Sequence, residues 1–360
     1  MVKIPGKGVV VVCNQKVHTN IYLCNKNSFV LMPAYPASCF ALMDRYGTEK
    51  IPFLFVISFD GTMTHVWRED EIPGWVEFSV PGIGELKAYK HCPFDFHFTA
   101  EPVEYNDYLI TFNEVMQHIL RGDTFLINLT FPTKIDMSLS LNDVYEYSHA
   151  PYKIKFGDYF VCFSPETFVR VSGDVIKTCP MKGTIDAEIP DAEKLILSDV
   201  KETAEHNTIV DLLRNDLGIV ADDIRVNRFR YVETVKGTSG PLLQVSSEIE
   251  GRIRAGYRGK IGSIFSLILP AGSVTGAPKK KTVEIIKKVE TYDRGYYTGV
   301  FGWFDGYNLD SAVLIRFIEK TEKGLFFKSG GGITSLSKPR DEYNELIKKV
   351  YVPFPRNDQN

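Results

Sequence analysis

The sequence predicts an α+β fold with largely antiparallel sheets. Strand-like and helical runs are mixed without a regular βαβ alternation. Tight turns at Asp60-Gly61-Thr62 and Gly173-Asp174 join β-rich runs as hairpins. The helical stretches carry their own end signals and stand between groups of strands.

The totals bound the class. A chain of 360 residues with 44% apolar and 12% aromatic content can bury a sizeable core in one large domain or two ordinary ones. A formal net charge of −3 argues against nucleic acid or an anionic membrane as main partner. No apolar run reaches the length of a membrane span. The opening MVKIPGKGVVVVCNQK lacks the apolar length and small-residue cleavage site of a secretory signal. The six cysteines are scattered without a CxxC pair, which fits reduced thiols in a cytoplasm. The triplet Asn128-Leu129-Thr130 is then an accidental glycosylation match. Residues 1–103 read as an N-terminal β-rich layer of the same globular unit, 104–355 as the functional region, and 356–360 as a tail.

In chain order, Val9–Val12 and Ser28–Met32 are short β-rich runs. Phe53–Phe59 and Met63–Trp67 form the first hairpin, and Pro73–Pro93 is an irregular loop or seam. Asn106–Leu120 has helical periodicity, with Tyr108, Leu109, Phe112, Val115, Met116 and Ile119 on one side. Strands follow at Thr124–Thr133, Tyr159–Phe163, Thr167–Ser172 and Val175–Thr178, and Pro180–Pro190 reads as loop. Ser198–Gly218 is a helix with Asp199 as N-cap, Glu202 completing a capping box, and Gly218 as its stop. Ile209, Val210, Leu212, Leu213 and Leu217 are its buried stripe. Ile224–Thr234 and Leu243–Gly251 are extended, whereas Lys260–Leu269 and Pro278–Val289 are helical. Gly299–Phe304, Ser311–Lys320 and Leu325–Ser329 are strands, Gly330-Gly331-Gly332 a turn, and Arg340–Lys349 the closing helix.

Chemistry enters with repeated carboxylates. Glu202 and Glu205 share one helix face at i, i+3, and Glu342 and Glu345 repeat that spacing on the closing helix. One such pair alone is a solvated acidic first turn, which the helix dipole favours. Two of them are either unrelated charged surfaces or a site for Mg²⁺, with Glu205 and Glu345 as direct ligands and Glu202 and Glu342 holding its waters.

Other segments leave two readings open. PAGSVTGAPKKK, Pro270–Lys281, is either an anion site built from backbone amides or a Gly-rich helix start with Pro278 at N1. Arg316, inside the apolar AVLIRFIE, is salt-bridged or aimed at an anionic ligand. Lys349 shares a face with Glu345 and pairs with it or with substrate. Lys182, in CPMKGT, is a solvated loop lysine or an amine whose lowered pKa frees it as a nucleophile. Glu166, in FSPETF, is a surface carboxylate or a general acid.

Together these segments resemble the chorismate-utilising enzymes: anthranilate synthase component I, aminodeoxychorismate synthase component I, isochorismate synthase and salicylate synthase. The resemblance spans about Asn106–Val350. It rests on SPETF, PMKGT, KETAEHNTIVDLLRNDLG, PAGSVTGAPK, RGYYTGVFGW, the arginine strand, GGGI and EYNELIKK, in the family's order. It implies a two-lobed α+β sandwich with helices outside and the site between large antiparallel sheets. It implies Mg²⁺ on Glu205 and Glu345, backed by Glu202 and Glu342, gripping the ring carboxylate of chorismate. Arg316, Tyr297, Lys349 and the amides around Thr275, Gly276 and Gly330, Gly331 and Gly332 would hold the carboxylates. Gly183 and Thr184 would line the pocket, and Glu166 would protonate the departing C4 hydroxyl.

Lys182 resembles the aminodeoxychorismate synthase type, in which the lysine forms a covalent intermediate; anthranilate synthases have alanine there. Leu126 replaces the family's glutamine, which is lysine in isochorismate and salicylate synthases, and so argues against those two. Gln244 stands where a histidine is usual. The short N-terminal third shows no tryptophan-sensing LLES-type segment. No glutaminase elbow is present, so ammonia is expected from a separate glutamine amidotransferase subunit. The rivals are anthranilate synthase component I and a non-catalytic protein that binds a chorismate-like ligand.

Overall fold

The computed structural model describes residues 36–81, 92–93, 95–237 and 240–354. The runs expected at Val9–Val12 and Ser28–Met32 lie outside them. The described residues belong to one compact unit, Ala34–Asn360. Among them, two sheets of nine and eight strands form the layers of an α+β sandwich, and their pairings are antiparallel.

The predicted first hairpin pairs Phe53–Ile57 with Thr64–Arg68. Phe53–Ile57 also pairs with Val300–Phe304, so chain from before residue 104 is interleaved with late strands in the larger sheet. Alternation along the strand sorts the side chains. Phe53, Phe55 and Ile57 face the outer helices, where Phe55 meets Phe265 of the helix Ile261–Ile268 edge-on. The inner faces meet through aromatic rings: Trp67 on Phe156, Trp303 on Phe78, and Phe301 on Tyr152. Tyr105–Leu120 covers the outer face of the smaller sheet with Tyr108, Phe112, Val115 and Ile119.

Several expectations need correction. A helix, Pro36–Glu49, stands in the layer read as β-rich. The stretch read as loop from Pro73 contains the strand Val76–Ser79. Short helices at Leu141–Tyr147 and Ala192–Ser198 add to those expected. Pro180–Pro190 is not all loop: Met181–Asp186 is a strand paired with Gly240–Ile253. The acidic helix runs Val200–Val220, so Gly218 lies inside it. Pro278 is the N-cap of Lys279–Val289 rather than its first residue.

Two further corrections shape the site. The run read as one strand over Ser311–Lys320 is two, Asn308–Val313 in the larger sheet and Phe317–Thr321 in the smaller. The chain crosses between layers at Leu314–Arg316, where Arg316 adopts a left-handed φ of 53°. Gly330-Gly331-Gly332 is not a turn but the end of the strand Gly324–Ile333. Among the described residues, no helix is long and apolar enough to cross a membrane.

Candidate active site

The acidic helix packs on the larger sheet by its predicted stripe, all of it buried. Asp199 caps it by accepting the Glu202 amide at 2.9 Å. The Glu202 carboxylate faces the lysine strand, with Oε2 3.3 Å from where a Cβ on Gly183 would stand. The closing helix, Pro339–Lys348, leans on the glycine strand, where the Ser329 hydroxyl donates to the Leu346 carbonyl at 3.1 Å. The two carboxylate pairs thus approach from opposite layers. Glu205 and Glu342 are 5% and 3% exposed, a burial that carboxylates bear only with partners.

Lys182 lies on the strand Met181–Asp186, and its Nζ is 3.3 Å from Glu205 Oε2. Gly183, at φ 73°, allows the bulge that shifts the register after Lys182. Burial pulls the Lys182 pKa down, but Glu205, Glu202 and Glu345 outweigh it and hold the amine protonated, above its ordinary value. These three carboxylates thus act against the lowering expected from burial. Thr184, beyond the bulge, is exposed and paired with Gln244, and is not brought among the site's charges.

The glycine strand pairs along Asn128–Thr130 on one edge. Its other neighbour stops at Phe317 opposite Lys328, so among the described residues no strand pairs with Ser329–Ile333 on that edge. A Cβ at Gly332 would stand 3.6 Å from both Glu205 Oε2 and Lys182 Nζ, and 3.1 Å from Leu126 Cδ1. Glycine here lets backbone reach the charged cluster, and Leu126 makes an apolar wall beside it. Lys349 Nζ lies 2.7 Å from Glu345 Oε1 and donates to the Gly330 carbonyl at 2.8 Å. Burial, offset by Glu345 and reinforced by Arg316 and Lys182, leaves its pKa lowered.

Glu166 accepts a short hydrogen bond from the Ser273 hydroxyl. Burial raises its pKa although Ser273, Lys182, Arg316 and Lys349 pull the other way. Arg316 has a buried Nε with no hydrogen-bond partner among the described residues, and its guanidinium faces the Tyr351 ring at 5.8 Å. Tyr297 is 2% exposed, with burial holding its phenol above the usual range and Arg294 and Arg316 opposing. The Thr275 amide and hydroxyl are both spent on Gly272 and Ala271 carbonyls, so neither is free for an anion. Gly276 pairs with Ile127.

Among the described residues, no three Asp, Glu, His or Cys side chains converge as they stand to hold a metal. The donor chemistry nevertheless fits a hard divalent cation. Glu205 Oε1 and Glu342 Oε1 are buried without a well-directed hydrogen bond. They face only the Lys201 ammonium, 3.5 and 2.7 Å away.

Residues 90–355 match the family of chorismate binding enzymes. The chain belongs to that family. It is 44% identical over 316 residues to an uncharacterised PabA-like protein of Haemophilus influenzae, covering 88% of this chain and 96% of that one. Aminodeoxychorismate synthase component 1 of Bacillus subtilis is 33% identical over 269 residues, 70% of this chain and 56% of its own length. Anthranilate synthase component I from Streptococcus pneumoniae superposes with a TM-score of 0.60 at 28% identity, covering 71% of this chain and 59% of that one. The chain spans little more than half the length of these two synthases.

Three residues in or behind this cluster were not singled out from sequence. Lys201 stands four residues before Glu205, a spacing that placed it on the carboxylate face. Ser273 lay inside a block already marked as functional. Arg294 is buried behind the site, bonding Glu290 and the Val274 and Asn128 carbonyls. Its only sequence signal was its place in RGYYTGVFGW.

Proposed function

We propose that this chain converts chorismate and ammonia to 4-amino-4-deoxychorismate through a covalent Lys182 intermediate, on the para-aminobenzoate branch of folate synthesis. The observation that carries the reading is a partly buried lysine whose amine lies 3.3 Å from Glu205 Oε2, in one electrostatic cluster with a carboxyl, Glu166, of raised pKa.

In this reading Glu205 and Glu345 would hold Mg²⁺, with Glu202 and Glu342 behind them. Bound there, the ion would supply a grip on the substrate's ring carboxylate and offset the carboxylate charge beside Lys182. Arg316 and Lys349, with the open edge of Gly330–Gly332, take the remaining carboxylate. Glu166 delivers its proton to the leaving C4 hydroxyl as the Lys182 amine adds at C2. Ammonia then attacks C4 and expels the lysine, splitting one displacement into two easier steps. Leu126 keeps an apolar side chain where the water-adding relatives carry lysine. The ammonia source is a separate glutamine amidotransferase subunit.

The test is mass spectrometry of the protein with chorismate and Mg²⁺ but no ammonia. An adduct on Lys182, absent in Lys182→Ala, is expected; anthranilate fluorescence on adding ammonium would instead establish the anthranilate synthase reading.

A further inference from the structure

We propose that Lys201 is a tethered counter-ion: in the metal-free protein its ammonium takes the charge position of the divalent cation, and the two compete for the same carboxylates. The inference rests on reading those carboxylates as a cation site.

The other two lysines of the cluster are already engaged. Lys182 faces Glu205 Oε2 and Lys349 faces Glu345 Oε1. Left over are Glu205 Oε1 and Glu342 Oε1, both buried. Lys201 Nζ stands 3.5 Å from the first, 2.7 Å from the second and 4.0 Å from Glu345 Oε2. It is the ammonium that bridges the acidic helix to the closing helix. Without a cation there, carboxylates from two layers would repel at low dielectric and push the helices apart.

Mobility separates Lys201 from its partners. Its side chain is 31% exposed, against 6% for Glu205 and 2% for Glu342. A lysine on a flexible four-carbon stem can swing into water, whereas the buried carboxylates stay. A divalent ion at the same oxygens would lie within a few ångströms of the ammonium, so the lysine must leave for the ion to bind. Lys201 therefore keeps the ion-free site assembled and weakens the ion's hold on it.

Isothermal titration with MgCl₂ and thermal unfolding, with EDTA or saturating Mg²⁺, test this in wild type, Lys201→Met and Lys201→Gln. Lys281→Met, on an exposed pair with Glu284, controls for net charge. The Lys201 variants should bind Mg²⁺ about tenfold tighter or more, equivalent to about 1.4 kcal/mol. They should unfold at lower temperature than wild type in EDTA, and match it in saturating Mg²⁺. Variants purified in Mg²⁺ keep the titration possible by back-exchange if they are unstable without it. Unchanged or weaker Mg²⁺ affinity in both variants, with wild type binding normally, overturns the counter-ion role alone. No Mg²⁺ binding by wild type overturns the cation site itself.

Discussion

Lys182 Nζ lies 3.3 Å from Glu205 Oε2, so the residue read as nucleophile and the residue read as metal ligand form an ion pair. Their roles are coupled through that contact. As long as Glu205 stays anionic and otherwise unneutralised, Lys182 is held as an ammonium. In the proposed reaction, a ligand that neutralises Glu205 would also release Lys182 from that pairing.

Glu166 is the group whose ionisation should shape the alkaline side of the activity profile. A proton donor works only while protonated, and burial raises its pKa. Turnover should fall as pH rises through that pKa. Glu166→Gln should lower kcat about 10²- to 10⁴-fold and erase the alkaline limb. A limb that persists in the variant assigns it to another group.

Gly332→Ala should leave the strand intact and crowd the site. The added methyl would meet Leu126 Cδ1 at 3.1 Å, within 3.6 Å of Lys182 Nζ and Glu205 Oε2. Overpacking of this kind costs about 1–3 kcal/mol, expected here as a raised KM for chorismate with an unchanged far-UV spectrum. Leu126→Ala in the same chain should recover part of the loss. A KM equal to wild type in the single variant would place the substrate elsewhere.

Glu290 and Arg294 are each 2% exposed and pair at 2.7 Å. Removing one partner of such a pair leaves a buried charge and costs about 3–5 kcal/mol. Glu290→Ala should lower the unfolding free energy by that margin, read from urea titration, and Glu290→Gln by less, since it keeps an acceptor for the guanidinium. Activity should fall with stability, because Arg294 also holds the Val274 and Asn128 carbonyls beside the site.

His65 is a source of acid sensitivity. Burial against Trp67 and Phe156 lowers its pKa from 6.5 to about 4. The folded state binds its proton less readily than the unfolded chain. Its contribution is complete above the unfolded pKa of 6.5 and is lost as pH falls towards about 4. The loss is at most about 3 kcal/mol. His65→Phe should flatten the slope of stability against pH between these limits; denaturant titrations at pH 7 and pH 5 read the difference.

The acidic helix and its apolar stripe were legible because periodicity and capping are local. The carboxylate pairs were legible because i, i+3 spacing is a property of the helix itself. What escaped depends on partners distant in sequence. Met181–Asp186 carries Pro180 before it and a glycine within it, and only its partner Gly240–Ile253 makes it a strand. Gly330–Gly332 has no side chains to signal β structure, so pairing with Asn128–Thr130 decides its conformation. The protonation state of Lys182 follows from carboxylates on two other elements, which no reading of CPMKGT contains.

The passage at Leu314–Arg316 has a mechanical meaning. One flank of Arg316 is hydrogen-bonded into the larger layer and the other into the smaller. Any shear of one layer over the other is delivered directly to the guanidinium, with no slack loop to absorb it. Alignment of the two slabs and aim of the arginine are thus a single degree of freedom, and a ligand that fixes one locks the other.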